Sequence, residues 1–491
     1  MTRSDTRLRP RTTGPGGDDG EQAPPTAPEP PRPSRAERAA RGRALRGDVS
    51  RAGHAELGPD ADREDPLDLL RGQDTSRVPE LLPIRYGRMA VSPFAYYRGA
   101  ALPMASDLSR TPRTGLEVQL CGDAHLANFG VFASPERRLV FDLNDFDETL
   151  PGPWEWDVKR LATSLEIAAR ENRVPHRART RIVRAGVAAY RAGMAEFAAA
   201  TALDVWYTPA DVDDVRRRFK HEIRGDRAPR LEKTLAKART RDNLGALARF
   251  AGGSAAEPRI IAEPPLIVPV SDLTETASAA EVWANLHTVV RAYRESLEHE
   301  RRVLLDRYRL VDMARKVVGV GSVGTRSWML LLLGDEPTDP LFLQAKEAGP
   351  AVLERYLSAS AYENSGQRVV VGQRMMQAAS DLFLGWVRVS GFDDRTRDFY
   401  IRQLRDWKGS ADVARMTPKG LATYGELCGW TLARAHARTG DPAAVAGYLG
   451  SGTTFDKAVA EFASAYADRN ERDHAALVAA IGAGLITAAS A

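Results

Sequence analysis

Apolar and polar positions divide the chain into unlike stretches. Residues 1 to about 50 are rich in Pro, Gly, Arg and Ala and show no apolar periodicity before RAERAARGRALR. Such a stretch cannot bury enough apolar surface to order itself, so residues 1–66 are expected to be an unstructured tail with at most a helical turn or two. Order is expected to begin between Leu67 and Leu82. Short apolar runs at residues 118–121 and 139–143 predict two buried strands. After Pro153, Val158, Leu161, Leu165 and Ala168 recur at helical spacing. Residues 176–250 read as helical and highly charged. From about Ala280, Val282, Leu286, Val289, Tyr293 and Leu297 share one face of a long helix.

The pattern then changes. KVVGVGSVGTRSWMLLLLGDEPTDPLFLQAKEA, residues 316–348, reads as strand, glycine turn, strand, turn, strand, with GDEPTDP as the second turn. QRVVVGQRMM and DFYIRQLRDW predict two further strands. LATYGELCGWTLARAHAR, residues 421–438, predicts a helix, and the chain from Phe455 onward is helical and Ala-rich. No internal repeat is visible. Together these elements predict an α+β fold, with a part over 67–310, a β-rich part over 311–412 and a helical part over 413–491 that packs back on the first.

Composition adds limits rather than direction. The 491 residues are 43% hydrophobic and 27% charged, which suits a globular chain with a large core. Net charge is +4, and the first 50 residues carry ten Arg against seven acidic side chains. The remainder is nearly neutral, which argues against a nucleic-acid binder. Two cysteines, Cys121 and Cys428, make neither a disulfide framework nor a four-ligand zinc site. The N-terminus lacks the apolar core of a signal peptide, and the longest apolar run, WMLLLL, falls far short of the ~20 residues that span a bilayer. A cytoplasmic protein without a membrane partner is the expectation.

The chemistry gathers where the two early strands end. In CGDAHLANFG, Asp123 and Asn128 stand five apart on a loop after an apolar run. Protein kinases place a catalytic Asp and a metal-binding Asn at this interval, in H-R-D-L-x-x-x-N. Small-molecule phosphotransferases such as aminoglycoside and choline kinases carry a similar H-G-D-x-H-x-x-N. Cys121 stands here in the place of the leading His, which usually helps to hold the loop. LNDFDE follows, and its Asp145-Phe146-Asp147 resembles the metal motif D-F-G or D-F-D, 22 residues after Asp123 with one strand between. Mg²⁺ bridging phosphates takes few, hard oxygen ligands, and a hydroxyl nucleophile needs a carboxylate to orient it and accept its proton. The bland alternative is that such Asp, Asn and His residues cap helices and tighten turns. Asp157, with Leu161-Ala162, is expected to be structural, satisfying donors at its own helix N-terminus.

Gly319-Val320-Gly321-Ser322-Val323-Gly324 fits G-x-G-x-x-G. An apolar strand rather than a helix follows, so the loop reads as a glycine-rich flap over phosphates and not as a dinucleotide fingerprint. Lys346 of LFLQAKEA then occupies the place of a phosphate-clamping Lys. Glu354, and after it Glu363, are the candidates for its acidic partner. His125 is a candidate to support the loop or to touch a phosphate. Arg85, Arg88 and Arg98 are candidates to line an anionic pocket, against the plainer reading of surface charge with snorkelling stems.

SPFAYYRG, QLCGDAHLANFG, DLNDFDETLPGPWEWD, KVVGVGSVGTR, LQAKEA and LARAHARTGD together resemble a bacterial domain-of-unknown-function family, number 2252, grouped with the kinase-like superfamily. The resemblance spans roughly residues 70–480. It implies a kinase-like two-lobed fold and leaves the substrate open. The catalytic-loop motif precedes the flap by nearly 200 residues, the reverse of ordinary kinases, so a circular permutation is expected. The expected function is an ATP- and Mg²⁺-dependent phosphotransferase acting on a hydroxyl of a small molecule. Asp123 would be the base, Asn128, Asp145 and Asp147 the metal ligands, Gly319, Gly321, Ser322, Gly324 and Lys346 the nucleotide site, with Glu354 beside it. Three other readings remain: a nucleotide-binding pseudokinase, AMP transfer to a protein on the same fold, and a two-metal hydrolase built on Asp123, His125, Asp145 and Asp147.

Overall fold

The computed structural model describes residues 33–489 apart from 209–210, 214–216, 218–226, 255–256, 274–278, 337, 391–394 and 405. The tail expected over residues 1–32 lies outside the described residues. Beyond it, order starts earlier than the expected boundary at 66. Helix α1 (Arg35–Ala44) lies against the helix Pro442–Leu449. Gly42 permits that approach, since a Cβ there would fall 1.9 Å from the Ala444 carbonyl oxygen. Arg38 bonds Asp441 at 2.8 Å, and Arg46 donates to the Tyr448 carbonyl at 2.8 Å. The arginines that make this segment look like a solvated tail are its anchors.

Strands β1 (Glu117–Leu120), β2 (Phe129–Ala133), β3 (Leu139–Leu143) and β4 (Leu150–Pro153) follow closely on one another. β1 pairs with β4, and β2 with β3, both antiparallel. β5 (Ala251–Gly253) and β6 (Pro258–Ile260) form a separate pair. β7 (Ile267–Pro269), β8 (Arg309–Lys316), β9 (Ser327–Leu333), β10 (Pro340–Ala348), β11 (Gly385–Ser390) and β12 (Thr396–Gln403) build a six-stranded antiparallel sheet, ordered β11-β12-β10-β9-β8-β7. β13 (Gly409–Ser410) returns to the edge of β2. The fold is thus mixed α and β. The large sheet takes β7 and the start of β8 from before residue 311, because their pairing partners, not chain proximity, decide membership.

The run WMLLLL is explained by its central place. On β9, Leu330 and Leu332 face one apolar cluster with Leu341 and Leu343, while Met329, Leu331 and Leu333 face another with Phe342. A strand covered on both faces has no polar positions to alternate with.

Helix α2 (Pro93–Gly99) precedes the first strands, and α3 (Trp154–Glu171) follows them. α3 is buried along nearly its whole length, charged residues included. α4 (His176–Ala199) crosses the later helix Pro418–Thr439 at very short range: a Cβ on Gly429 would lie 2.2 Å from the Gly186 carbonyl oxygen.

One expected strand is a helix. QRVVVGQRMM lies in α5 (Ser365–Met376), whose first turn is capped by the Asn364 side chain accepting from the Gln367 N–H. A short β-branched run reads as a strand when its length and neighbours are unknown. Here Val369 and Val370 are fully buried in the main core, in a helix set against β11 and β12. β11, shorter and half exposed, is a strand the sequence reading lacks, as are β2, β4 to β7 and β13. The C-terminal helices α6 (Pro418–Thr439) and α7 (Thr454–Gly482) pack on α4 and α3.

Lys159 of α3 shows what this burial implies. Its side chain is fully buried, its Nζ has no hydrogen-bond partner among the described residues and sits 4.5 Å from the centre of the Phe462 ring, and Glu155 lies one turn before it. Burial pushes the ammonium down to about 7. A lysine whose pKa falls on folding leaves the unfolded chain holding more protons above pH 7, so stability rises with pH there. The stability of the wild type relative to Lys159→Met is therefore expected to climb by on the order of 2 kcal/mol between pH 7 and 9. Denaturant melts of the two proteins at matched pH check this, and a difference that does not change with pH would refute it.

Candidate functional site

The antiparallel register of β2 and β3 explains how the two polar clusters meet. Phe129 pairs with Leu143, so Asn128 and Asn144 become neighbours, and the Asn144 N–H bonds the Asn128 carbonyl at 3.0 Å. The loop before β2 and the loop after β3 thus open into one cavity of about 480 Å³. It is lined by Asp123, His125, Asn128, Asp145 and Asp147 from this side. From the large sheet come Gly319, Gly321, Ser322, Glu347 and Ala348. Residues about 200 positions apart in the chain share it because β10 runs its C-terminal end into the same space.

Asp123 is held from behind. Arg160 of α3 donates Nε to its Oδ1 at 2.8 Å, with Nη2 in charge contact with the same oxygen at 2.7 Å, and the Arg160 guanidinium stacks on Tyr97 at 3.9 Å. The other oxygen, Oδ2, stands 3.5 Å from His125 Nε2. His125 is buried, which pushes its imidazole down to about 4, so it is neutral at pH 7. It supports the loop and also lines the cavity. Asn128 donates its amide to the Asp123 carbonyl at 2.8 Å, and among the described residues its side-chain oxygen accepts no hydrogen bond.

The loop that carries Asp123 is braced at its start. Asp157 accepts the Cys121 N–H at 2.7 Å and the Gly122 N–H at 3.0 Å, and lies 3.2 Å from His436 Nε2. Asp157 is structural as expected, but its carboxylate serves the neighbouring loop and not its own helix terminus. The Cys121 thiol donates to the Asp145 carbonyl at 3.3 Å. Burial pushes this thiol up, so it stays protonated and able to donate. The cysteine therefore ties the loop of Asp123 to the loop of Asp145. Both cysteines are free and buried.

Lys346, 3% exposed at its side chain, reaches across to this pair of loops. Its Nζ lies 2.6 Å from Asp147 Oδ2 and 3.6 Å from Asp145 Oδ1. Tyr400 on the adjacent β12 donates to the other oxygen of Asp147 at 2.7 Å. Burial opposes the charge on Asp147, but the ammonium and the phenol outweigh it and hold the carboxyl below its ordinary value. Burial, then the charge of Asp147, push Asp145 the other way. Asp145 Oδ1 is buried and, among the described residues, makes no hydrogen bond. Glu354 and Glu363 are not the partners of Lys346. Glu354 accepts the Ala351 N–H at 2.8 Å and faces Arg368 at 3.8 Å, which keeps it at the cavity wall. Glu363 offers its carbonyl to Arg388 on the exposed side of the sheet.

The glycine segment bridges β8 and β9 in an antiparallel pair, with Gly319 and Gly324 at φ 67° and 92°. Only glycine takes that left-handed backbone freely. Its carbonyls are engaged: Arg88 donates to Gly319 at 2.7 Å, and Arg77 to Gly321 at 2.9 Å and to Val323. The N–H groups of residues 319–322 donate to no protein acceptor among the described residues. A run of N–H groups without protein acceptors, backed by arginine, has the donor chemistry that suits an anion. Ser322 Oγ closes on Asp147 at 3.3 Å. Of the three arginines singled out in sequence, Arg88 and Arg98 belong here, and Arg85 does not: it is fully buried against Asp74 at 2.6 Å and Gln73.

Arg160, Arg77 and Tyr400 escaped the sequence reading. Each acts through a partner more than 35 residues away, which no local spacing encodes.

Among the described residues, no three His, Cys, Asp or Glu side chains converge as a metal cage. Asp145 and Asn128 line the cavity, and a carboxylate and an amide oxygen are hard ligands of the type Mg²⁺ takes when phosphate and water complete its shell. Among the described residues no helix is long and apolar enough to cross a membrane.

The sequence model of a bacterial family described as uncharacterized protein conserved in bacteria (DUF2252) matches residues 77–480, and the chain belongs to that family. No curated protein and no solved structure matches it.

Proposed function

We propose that this family member is an ATP- and Mg²⁺-dependent phosphotransferase on a circularly permuted kinase-like fold, acting on a hydroxyl of a small molecule. One observation carries the reading. Lys346, about 200 residues after the metal loop in sequence, lies 2.6 Å from Asp147 and 3.6 Å from Asp145, and both of those carboxylates line the cavity they share with Asp123, Asn128 and the glycine segment. A purely structural protein has no need to converge those groups on one open space.

The roles follow from charge and reach. Free N–H groups of the glycine segment and the Lys346 ammonium bind the phosphates, Lys346 exchanging its contact with Asp147 for phosphate oxygens. Asn128 and Asp145 would hold Mg²⁺, which when bound supplies neutralisation of phosphate charge. Asp123, fixed by Arg160, orients the acceptor hydroxyl and takes its proton. His125, neutral and buried, keeps Asp123 in place. A regulatory nucleotide-binding module is the second reading, favoured by Ser322 and Lys346 both closing on Asp147.

Thermal shift of the wild type with ATP, with and without MgCl₂, tests the reading. A saturable, Mg²⁺-dependent rise is expected, worth about 2.7 kcal/mol at a hundredfold excess over Kd. No response to ATP with Mg²⁺ would sink it. Mass spectrometry of ATP-derived products in the presence of metabolite extracts then separates phosphate transfer from AMP transfer and from an inert binder.

A further inference from the structure

The cavity is surrounded by arginines, and nearly all of them are committed. Arg160 holds Asp123, and Arg77 and Arg88 hold the glycine segment. Arg368 donates to the carbonyls of Asp147, Thr149 and Gly349, and Arg355 pairs with Glu64. Arg98 of α2 is different. It lines the cavity, its Nε is buried without an acceptor, and among the described residues it makes no hydrogen bond and no ion pair.

A half-buried guanidinium with no partner is costly unless something else supplies the acceptor. Burial depresses its basicity, and the two charges that oppose this are Asp123 and Asp145. Arg98 therefore lies in the field of both the carboxylate that orients the acceptor and the carboxylate that would hold the metal. Its backbone is fixed on both sides. The Tyr97 carbonyl accepts Arg160 Nη2 at 2.7 Å, and a Cβ on Gly321 would lie 3.0 Å from the Arg98 carbonyl oxygen. α2 is thus wedged between the helix that positions Asp123 and the tip of the glycine segment.

We propose that Arg98 is a catalytic residue that contacts the transferred phosphoryl group. Arg98 lines the same cavity as the acceptor-orienting carboxylate and the metal-holding carboxylate, and a γ-phosphorus in transfer must lie between those two carboxylates. An anionic acceptor would lie beyond Asp123 and need no relation to Asp145. In the step, the bond from the acceptor oxygen to the γ-phosphorus forms as the bond from that phosphorus to the leaving ADP oxygen breaks. The hydroxyl proton goes to Asp123, and Arg98 faces the equatorial oxygens throughout. This inference rests on the phosphotransferase reading.

Calorimetric titration of the full chain in MgCl₂ tests it, with ADP and with ADP plus aluminium fluoride, whose complex stands for the transferring phosphoryl group. Wild type, Arg98→Ala and Arg98→Lys are compared. The expected result is an ADP affinity within about threefold across all three, with Arg98→Ala losing on the order of 100-fold against ADP–aluminium fluoride. Arg98→Lys should recover only part, since an ammonium lacks the planar fork. Circular dichroism establishes that each variant is folded, and Arg98→Lys decides the matter if the alanine variant is not. Equal weakening of both ligands, or no change with the fluoride complex, overturns the inference while leaving the function in place. A wild type that binds ADP but gains nothing from aluminium fluoride does the same. A wild type that binds no ADP overturns both, and no variant is needed to see it.

Discussion

Replacing Lys346 with methionine is expected to destabilise the protein by about 2–4 kcal/mol at pH 7 and to remove its stabilisation by ATP. The ammonium is the only cation within 4 Å of the Asp145 or Asp147 carboxylate among the described residues, at 3.6 and 2.6 Å. Methionine fills a similar volume without the charge, so the loss reports electrostatics and not a cavity. Two neighbouring carboxylates then share one wall of the cleft, and the folded state holds a proton that the unfolded chain would release. A carboxyl whose pKa is raised on folding contributes stability where it is protonated and loses it as pH rises. The deficit relative to the wild type should therefore be small near pH 4 and widen toward pH 7. Millimolar MgCl₂ should narrow it, a divalent cation taking the place of the ammonium. Thermal melts at pH 4.5, 6 and 7.5 decide the point, and equal melting temperatures at pH 7.5 would show that Lys346 holds nothing together.

The second large effect lies in the core. Asp142 of β3 is fully buried, and so is Arg434 of α6, with Nη2 at 2.6 Å from its Oδ1. The two are in charge contact without a well-aligned hydrogen bond from the guanidinium. Asp142 also accepts the Leu143 N–H at 2.9 Å and, just beyond α5, the Ala378 N–H at 2.9 Å. One carboxylate therefore joins β3, α6 and the segment leaving α5. Asp142→Ala strands a buried guanidinium and a backbone N–H together, and should cost about 3–5 kcal/mol. Asp142→Ala combined with Arg434→Met removes the stranded charge and should recover part of the loss. Denaturant unfolding of the single and double variants measures this. A single variant within 1 kcal/mol of wild type would mean that water reaches Arg434.

Much of the cavity lining is legible in sequence, because its members sit in short motifs whose internal spacing is also their spacing in space. Asp123 and Asn128 share one loop, and Asp145 and Asp147 share another. The glycine segment announces its own turn. The errors have a common cause as well. Glu354 follows Lys346 closely in the chain, yet its carboxylate caps the turn after β10 and faces Arg368. Arg85 is spaced like its neighbours Arg88 and Arg98, yet points to Asp74. QRVVVGQRMM carries strand-forming residues, yet Asn364 starts a helix there and the core closes over its valines. In each case local character is the same under both outcomes.

Cys121 shows the division most plainly. In sequence it is an unexplained departure in the position of a loop-holding histidine. In the fold its thiol reaches the Asp145 carbonyl while its N–H meets Asp157, so a smaller donor performs the tethering. What the sequence alone determined was the succession of helical and strand-rich stretches, the two polar loops, the glycine turn and the polar groups those loops bring to the cavity, since these depend on patterns within about ten residues. Only the tertiary structure decided which charges meet: Arg160 with Asp123, Lys346 with Asp147, Arg434 with Asp142, and Arg98 with none. Electrostatic pairing depends on distance in space and on burial, and both are set by how distant strands and helices pack.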